Sequence, residues 1–276
     1  MGMLKHDDGW RLPDEIWEQM EPLLPPHKPH PLGGHNPRVS DRAAMNAILF
    51  VLRTGCPWNA LSATGICSSS SAHRRFQQWD QAGVFEEFRR LGLLALDALD
   101  DIDWSWLAMD GAMAKAPLGG EKNGPNPTDR GKGGVKRSLL TEAHGIPIAI
   151  AVDGANRHDM KLVCSTIEDL QLGRPTPTPG SPQGLCLDRA TIMSRYANGS
   201  SSLALLRISG HAGRKRRTSA KMRGFRARRW VVERTHSWMN RFRGLLIRWP
   251  KKASNYLACL HLACGIIAWR SAGLLG

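Results

Sequence analysis

The sequence predicts an α/β protein in which a small all-α domain, residues 1–99, precedes a mixed α/β domain, residues 100–276. Three observations predict this fold class. Residues 10–98 show apolar positions at helical spacing. Residues 104–215 instead contain short apolar runs bounded by Gly, Pro and Asp, which are typical of strands and turns. The last third of the chain is again helical and strongly basic.

Charge and composition narrow the class of protein. The formal net charge is +14 and the isoelectric point is about 10.1, which favours a polyanionic partner because Lys and Arg that neutralise phosphates release counterions. A ribosomal protein or a protein at a membrane surface would show the same excess. The six cysteines form no CxxC pair and no zinc-like spacing, so we interpret them as small buried side chains of a protein in a reducing cytoplasm.

No membrane or export segment is expected. The first ten residues carry charges where a signal peptide needs an apolar core. The longest apolar run, residues 256–269, is interrupted by His261 and is too short to span a bilayer. We interpret this run as a core helix and expect a cytoplasmic, nucleoid-associated protein that does not contact a membrane.

Four helices are expected in the first domain. The first begins near Asp14 and ends before a Pro/His-rich loop. Ser40 is placed to cap the second helix and Gly55 to end it. The serines at 68–71 offer caps for a third helix, and a fourth runs over residues 84–99.

The second and third helices, with a short Gly-containing link, predict a helix-turn-helix motif. The third helix presents Arg74, Arg75 and Gln78, which we expect to contact DNA. The alternative is a solvated helix face, since any small helical bundle can show this pattern.

Strands and one helix are expected to build the sheet of the second domain. The run 106–109 predicts a strand that ends at Asp110 and Gly111, and a mobile loop rich in Gly, Pro and Lys follows over residues 116–134. The further predicted elements are a hairpin of strands 139–143 and 146–152, a helix over 157–172, a loop over 173–183, a strand over 184–187 that runs into Asp188, and a strand over 203–208.

Asp110 and Asp188 directly follow apolar strands. Strand ends converge at one edge of a sheet, so carboxylates there are well placed to bind a ligand. Aspartates at strand ends also cap turns, which is the alternative role. Other acidic residues compete for the two places: Asp100, Asp101 and Asp103 for the first, and Asp153 and Asp159 for the second.

Glu233 gives the strongest signal, because it is the only acidic residue after Arg189 and stands among sixteen Lys and Arg residues between positions 207 and 252. Helical spacing over 225–246 puts Arg229, Glu233, Ser237 and Asn240 on one side. Glu233 could simply pair with Arg229, which at a surface contributes only about 0.5 kcal/mol. One anion does not balance so many cations, so we favour a metal ligand that faces a nucleic acid.

Carboxylates in basic surroundings suit phosphodiester chemistry. Two divalent ions roughly 4 Å apart stabilise the attacking and leaving oxygens in many nucleases and polymerases. Magnesium prefers hard oxygen ligands. We therefore expect Asp110, Asp188 and Glu233 to hold Mg²⁺, with two ions expected and Mn²⁺ as the alternative.

Residues 230–243, WVVERTHSWMNRFR, resemble the C-terminal signature of DDE insertion-sequence transposases, most closely the insertion sequence five family. Arg229 matches the Arg-x-x-x-Glu core of that signature. The resemblance covers nearly the whole chain, and its other parts are Met109–Gly111 as the first acidic motif, Leu185–Asp188 as the second, Asn156–Asp159 as the His-Asp step between them, the run from Gly55 to Phe85, and the closing segment Asn255–Cys264.

The resemblance implies a ribonuclease-H-like fold, a mixed sheet flanked by helices, with both aspartates on strands and the glutamate on a helix. It implies a homo-oligomer that binds the terminal inverted repeats of its own element, hydrolyses the phosphodiester at the element ends and joins the 3′-hydroxyls to double-stranded target DNA. We expect the DNA backbone to be contacted from the glutamate helix and its flanks by Arg229, Arg234, Asn240, Arg241 and Arg243, and from the mobile loop by Lys132, Lys136 and Arg137. A DNA-binding protein of the same fold without catalysis, and a nuclease that cuts without joining, are the alternatives.

Overall fold

A computed structural model describes residues 10–27, 38–178, 180–181, 183–187, 206–209 and 230–274. The chain divides into two compact units. The helical unit comprises the described residues of Met1–Leu96 and Met239–Gly276, and the sheet unit those of Asp97–Trp238. The C-terminal segment thus belongs to the same unit as the N-terminal helices. Within the described ranges, no helix combines the length and apolar character that a bilayer crossing requires.

The four helices expected near the N-terminus are present, and their predicted caps are confirmed. Ser40 Oγ accepts a hydrogen bond from the Ala43 amide at 3.2 Å, and Ser68 Oγ accepts one from the Ser71 amide at 3.3 Å. Gly55 ends the second helix in a left-handed conformation with φ of 70°. The helices are α1 (Asp14–Met20), α2 (Asp41–Thr54), α3 (Ser69–Gln81) and α4 (Val84–Asp97).

The link between α2 and α3 is longer than expected. It covers residues 55–68 and contains a 3₁₀ helix, Trp58–Ala63, whereas the turn of a helix-turn-helix has three or four residues. Leu61 explains the length, because its fully buried side chain packs with Ala47 and Ala72 in the core. The link is therefore part of the packed core and not a short turn. DNA binding by α2 and α3 stays a prediction.

The predicted C-terminal core helix is confirmed as α7, Ala253–Trp269, which follows α6, Trp230–Asn240, along the chain. Every residue from Leu260 to Trp269 is buried. Gly265 lets α7 approach α4, because a Cβ at this position would lie 2.6 Å from Phe88 Cδ1. Trp269 Nε1 donates a hydrogen bond to the Phe88 carbonyl at 3.1 Å.

The sheet unit contains a mixed sheet, as predicted. β3 pairs in antiparallel fashion with both β1 and β4, β5 pairs in parallel with β1, and β6 pairs in parallel with β5. The short strand β2 pairs with the beginning of β3. The strands are β1 (Trp106–Lys115), β2 (Gly124–Pro125), β3 (Gly133–Thr141), β4 (Pro147–Gly154), β5 (Gly184–Leu187) and β6 (Leu206–Ser209).

Two helices belong with this sheet. The helix α5, Asp159–Glu168, lies within the predicted range and packs on β3, where Thr166 Oγ1 contacts Ser138 Oγ at 2.8 Å. The helix α6, Trp230–Asn240, contains Glu233, as expected. The boundary between the two units falls after Trp238, inside α6.

Two expectations for the sheet are wrong. β1 does not end at Asp110, because its backbone stays paired with β3 as far as Lys115, which opposes Gly134. The segment 116–134, expected as one loop, contains β2 and the beginning of β3. The turn between these strands is closed by hydrogen bonds from the Asn126 amide to the Lys132 carbonyl at 2.8 Å and from the Gly131 amide to the Asn126 carbonyl at 3.0 Å. Main-chain pairing needs no apolar side chains, so hydrophobicity could not reveal either feature.

Candidate active site

Asp110 lies in the middle of β1, where the strand loses one of its two neighbours. Ala108 is the last residue of β1 paired with β5, opposite Cys186, whereas pairing with β3 continues to the end of the strand. Asp110 is half-buried at this point. Its surroundings form a small cavity lined by Met109, Asp110, Gly111, Ser138, Asp159, Val163 and Leu187.

The second predicted acid, Asp188, lies outside the described residues, as does Arg229. The described part of β5 ends at Leu187, immediately before Asp188 in the sequence. Ala108 of β1 pairs with Cys186 of β5. Asp110 is the second residue after Ala108, and Asp188 is the second residue after Cys186.

The helix α6 is fixed to the turn between β3 and β4. Fully buried Thr235 donates a hydrogen bond from Oγ1 to the Gly145 carbonyl at 2.5 Å. Arg234 donates from Nη2 to the His144 carbonyl. Gly145 has a φ of 88°, and a Cβ there would lie 3.1 Å from both the Thr235 hydroxyl and the Arg234 guanidinium. The turn therefore needs glycine both for its conformation and for close approach of the helix.

A buried carboxylate shapes this turn from inside. Glu142 is fully buried and accepts hydrogen bonds from the amides of His144 and Ile146, each at 2.9 Å. The ring Nδ1 of His144 lies 3.1 Å from the same carboxylate. Glu142 thus satisfies amides that the turn would otherwise leave unpaired, and it holds the surface on which α6 docks.

The side of α6 that carries Glu233 is exposed, as the helical spacing predicted. The side chains of Glu233, Ser237 and Asn240 are all exposed. The buried residues of α6 are Val231, Val232, Thr235, His236 and Met239. Because His236 follows Glu233 by three residues, it lies about one helical turn away.

His236 connects α6 to Asp110. The pKa of His236 is lowered to about 3, mainly by burial and further by the nearby Arg137 guanidinium, while a contact with the main chain of Asp110 partly opposes both effects. This contact does not meet strict hydrogen-bond geometry. The ring is therefore neutral at physiological pH. Glu233 consequently stands one helical turn from a side chain that touches Asp110.

An ion pair lies against β1 beside Gly111, the residue that follows Asp110. Lys136 Nζ is 3.0 Å from Asp159 Oδ1 and donates to the Arg157 carbonyl at 2.7 Å. A Cβ on Gly111 would lie 2.6 Å from Asp159 Oδ1 and 3.2 Å from Lys136 Cδ. The missing side chain of Gly111 is what allows the pair to approach the strand.

Within the described ranges, which stop at Leu187 and resume at Leu206, no three His, Cys, Asp or Glu side chains are grouped closely enough to hold a metal. The predicted triad Asp110, Asp188 and Glu233 stays a prediction, because one member lies outside these ranges. The two described members, Asp110 and Glu233, offer carboxylate oxygens, which are the ligands that a hard divalent cation prefers.

The DNA contacts predicted near β3 need correction in their placement. Lys136 and Arg137 do not extend from a mobile loop but lie within β3, with 8% and 4% of their surface exposed. Both belong to the paired strand, because the strand begins at Gly133, earlier than the apolar run indicated. Lys132 is exposed on the turn before it.

The remaining predicted contacts differ in how accessible they are. Arg74 and Gln78 are exposed on α3, whereas Arg75 is buried and contacts Asp41 Oδ1 at 3.2 Å and Gln78 Oε1 at 2.7 Å. Arg234 is half-buried between the rings of Trp230 and Trp238, each 4.9 Å away. The side chains of Asn240, Arg241 and Arg243 are exposed.

Comparison with known proteins identifies the family. Residues 12–89 match the family described as "Putative transposase of IS4/5 family (DUF4096)". The chain is 43% identical over 118 residues to the "Insertion element IS402 uncharacterized 16.2 kDa protein" of Burkholderia cepacia, which covers 41% of this chain and 79% of that protein. It is 34% identical over 158 residues to the "Putative transposase for insertion sequence element IS402" of the same organism, covering 55% of this chain and 71% of that protein. The chain belongs to the IS4/5 transposase family.

The family model ends within α4 of this transposase-family chain, so it covers neither Asp110 nor Glu233. The chain is also 29% identical over 109 residues to "Uncharacterized protein y4sN" of Sinorhizobium fredii, covering 40% of this chain and 78% of that protein. The comparison with solved structures found no match. The predicted family is thus confirmed, while the predicted site residues stay predictions.

Sequence reasoning missed several polar residues that shape the site of this transposase-family chain. It assigned no role to Glu142, and Thr235 and His236 entered only as letters of the C-terminal signature. Asp159 was considered as a competitor of Asp188 and as part of the His-Asp step, with no role assigned to its contact with Lys136. A polar residue inside an apolar run was the available signal for Glu142, since burying a carboxylate without partners is costly.

Proposed function

We propose that this chain is a metal-dependent transposase of the DDE type. It binds the terminal inverted repeats of its insertion element, hydrolyses the phosphodiester bonds at the element ends and joins the freed 3′-hydroxyls to target DNA. One observation in particular supports this proposal in a member of the IS4/5 family. The helix that bears Glu233 is anchored on the sheet so that His236, one turn away, touches Asp110.

The proposal includes a ribonuclease-H-like arrangement of the sheet unit. It is supported by the position of β1, which lies between an antiparallel partner, β3, and a parallel partner, β5. Both predicted aspartates follow the paired positions Ala108 and Cys186 by two residues, so a common register would bring them to the same level of the sheet. The glutamate comes from a helix, α6.

We propose Asp110, Asp188 and Glu233 as the ligands of two Mg²⁺ ions, with Mn²⁺ as an alternative. When bound, the ions would lower the pKa of a water molecule and would stabilise the charge that develops on the phosphodiester oxygens. The protein supplies the positions of the carboxylates. Asp110 is held by strand pairing, and Glu233 by the Thr235 hydrogen bond to the hairpin turn.

Arg137 and His236 set the charge around Asp110. In the register of β1 and β3, Arg137 opposes Ala112, which lies on the same face of β1 as Asp110 because side chains alternate along a strand. Its guanidinium partly compensates the negative charge that the carboxylates bring. His236 stays neutral, so it packs against the Asp110 backbone without adding positive charge that would repel cations.

The exposed basic side chains would position DNA by contacts with phosphates, which carry no sequence information. Lys132, Arg241 and Arg243 are accessible for this role. Reading of the element ends would fall to the N-terminal helices, through Arg74 and Gln78. Assembly of several copies on the DNA belongs to the same proposal, as the family resemblance implies.

The test is a cleavage and strand-transfer assay on DNA that spans both borders of the element. Wild type, Glu233→Gln and Glu168→Gln are compared, each with Mg²⁺, with Mn²⁺ and with a chelator. Glu168 is the matched control, because it is also an exposed glutamate on a helix of the sheet unit. We expect Glu233→Gln to bind DNA like wild type and to lose cleavage by at least about a hundredfold, as removal of a charge-stabilising group does in other enzymes.

Cleavage that needs both metal and Glu233, followed by joining, would support the whole proposal. Cleavage without joining would instead indicate a nuclease. DNA binding with no cleavage under any metal condition would indicate a DNA-binding protein without catalysis. Equal activity of wild type and Glu233→Gln would remove Glu233 from the site.

A further inference from the structure

The ion pair of Lys136 and Asp159 stands directly beside the proposed metal site without belonging to its ligands. Asp159 Oδ1 lies 2.6 Å from the position that a Gly111 Cβ would occupy. Since consecutive Cα atoms are about 3.8 Å apart, the Asp159 carboxylate is within roughly 8 Å of the Asp110 Cα. Asp159 also lines the same small cavity as Asp110.

Strand geometry excludes Asp159 as a simple extra ligand. Side chains of consecutive residues point to opposite faces of a strand, so Asp110 and the Gly111 side that meets Asp159 face opposite ways. Asp159 is therefore separated from the Asp110 side chain by the β1 backbone. Any influence of the pair on Asp110 acts through charge across one strand.

Charge acts across β1 because one partner of the pair, Lys136, is shielded from water. The Lys136 side chain has 10% of its surface exposed and the Asp159 side chain 35%. The Lys136 ammonium is therefore screened less than a surface charge, whereas water partly screens the Asp159 carboxylate. The Lys136 ammonium is held by a second acceptor, the Arg157 carbonyl at 2.7 Å, so it has a reason to stay in place without Asp159.

We propose that Lys136 and Asp159 form a positioning pair that tunes the cation affinity of the Asp110 site through β1. Paired, the two charges nearly cancel. Lys136 without Asp159 leaves a positive charge beside the site, and Asp159 without Lys136 leaves a negative one. This inference rests on the proposed function, because it assumes that a divalent cation binds at Asp110.

The two halves of the pair therefore have opposite effects on cation binding, which distinguishes this role from a structural one. Lys136→Met is expected to strengthen Mn²⁺ binding and Asp159→Asn to weaken it, each by roughly tenfold for a unit charge at this distance. The double variant returns to within about threefold of wild type. A purely structural ion pair predicts instead that both single variants disturb the site in the same direction.

The experiment titrates the full chain with Mn²⁺ alone and measures free Mn²⁺ by electron paramagnetic resonance. The proteins are wild type, Asp110→Asn, Lys136→Met, Asp159→Asn and the double variant. Asp110→Asn identifies the part of the binding that belongs to the site. Thermal unfolding of each variant is recorded beside the titration, and the comparison is made below all unfolding transitions.

Opposite shifts in affinity, cancelled in the double variant, would support the inference. Asp110-dependent binding that both single variants weaken, or that neither changes, would overturn it and leave the proposed metal site intact. Absence of any Asp110-dependent binding in wild type would overturn the metal site, and this inference with it. The outcomes therefore separate the two proposals.

Discussion

Gly111 and Gly145 show how single residues shape the candidate site by lacking a side chain. Gly111 leaves room for the Asp159 carboxylate, and Gly145 leaves room for Thr235 and adopts a φ of 88°. Each glycine neighbours a residue of the site or its support. A methyl group at either position would move a polar side chain that other contacts hold in place.

The buried side chain of His261 makes the stability of the protein depend on pH. Burial, with a smaller contribution from the Arg89 guanidinium, lowers the pKa of His261 to about 3. The unfolded chain takes up the proton near its ordinary pKa of 6.5, earlier than the folded protein. The folded state is therefore fully favoured above pH 6.5 and loses stability as the pH falls from 6.5 toward 3.

We predict that His261→Leu makes stability less dependent on pH in this window. One such histidine contributes a slope of up to about 1.4 kcal/mol per pH unit. Urea unfolding of wild type, His261→Leu and the exposed-residue control His27→Gln is measured from about pH 7.5 to about pH 4.5. Because His236 is unchanged in all three proteins, the difference isolates His261. Parallel curves for wild type and His261→Leu would contradict the prediction.

At the scale of elements, α6 depends on a turn that lies far away in sequence. Thr235 and Gly145 are separated by 90 residues, yet their hydrogen bond of 2.5 Å joins the helix to the hairpin of β3 and β4. The carboxylate of Glu142 stabilises the same turn from inside. The orientation of the proposed catalytic glutamate is thus set by a hairpin that contributes no proposed ligand.

We predict that Thr235→Val, which keeps the side-chain shape, destabilises the protein by about 1–3 kcal/mol because the buried Gly145 carbonyl loses its donor. Ser237→Ala on the exposed side of α6 serves as the control and is expected to change stability by less than about 0.5 kcal/mol. Urea unfolding measures both variants. Equal stability of Thr235→Val and wild type would show that the helix is held mainly by its apolar side.

At the scale of the whole molecule, positive charge and fold must be considered together. The net charge of +14 predicted a nucleic-acid partner, but individual basic residues differ in what they do. Arg74 and Arg75 are neighbours on α3, and one is exposed while the other is buried against Asp41. Burial lowers the pKa of Arg75, with repulsion from Arg38 adding to it, and the contact with Asp41 partly opposes this.

We predict that Arg74→Gln and Arg75→Gln have different effects. If Arg74 contacts a phosphate, its loss lowers the slope of log affinity against log salt concentration by about 1 and leaves stability unchanged. Arg75→Gln instead costs about 1–3 kcal/mol of stability, since it breaks hydrogen bonds to a charged group. Fluorescence anisotropy with element-end DNA at several NaCl concentrations, together with urea unfolding, measures both. A changed salt slope only in Arg75→Gln would reverse the assignment.

Local sequence signals determined the elements of this protein and its family. The caps Ser40 and Ser68, the left-handed Gly55 and the apolar run of α7 all act within a few residues of themselves, so their patterns were readable along the chain. The basic charge and the signature around Glu233 likewise needed no fold. The family that they indicated is the one that the comparisons show.

The tertiary structure decided which polar residues meet. The sequence predicted that β1 ends at Asp110, because the apolar run stops there, but the backbone continues to pair with β3. The sequence predicted that Lys136 lies in a loop, whereas it lies in β3 and forms an ion pair with Asp159 beside Gly111. Backbone pairing and buried polar contacts join residues that are distant along the chain, and their energies depend on burial. That dependence is why composition and periodicity alone could not locate them.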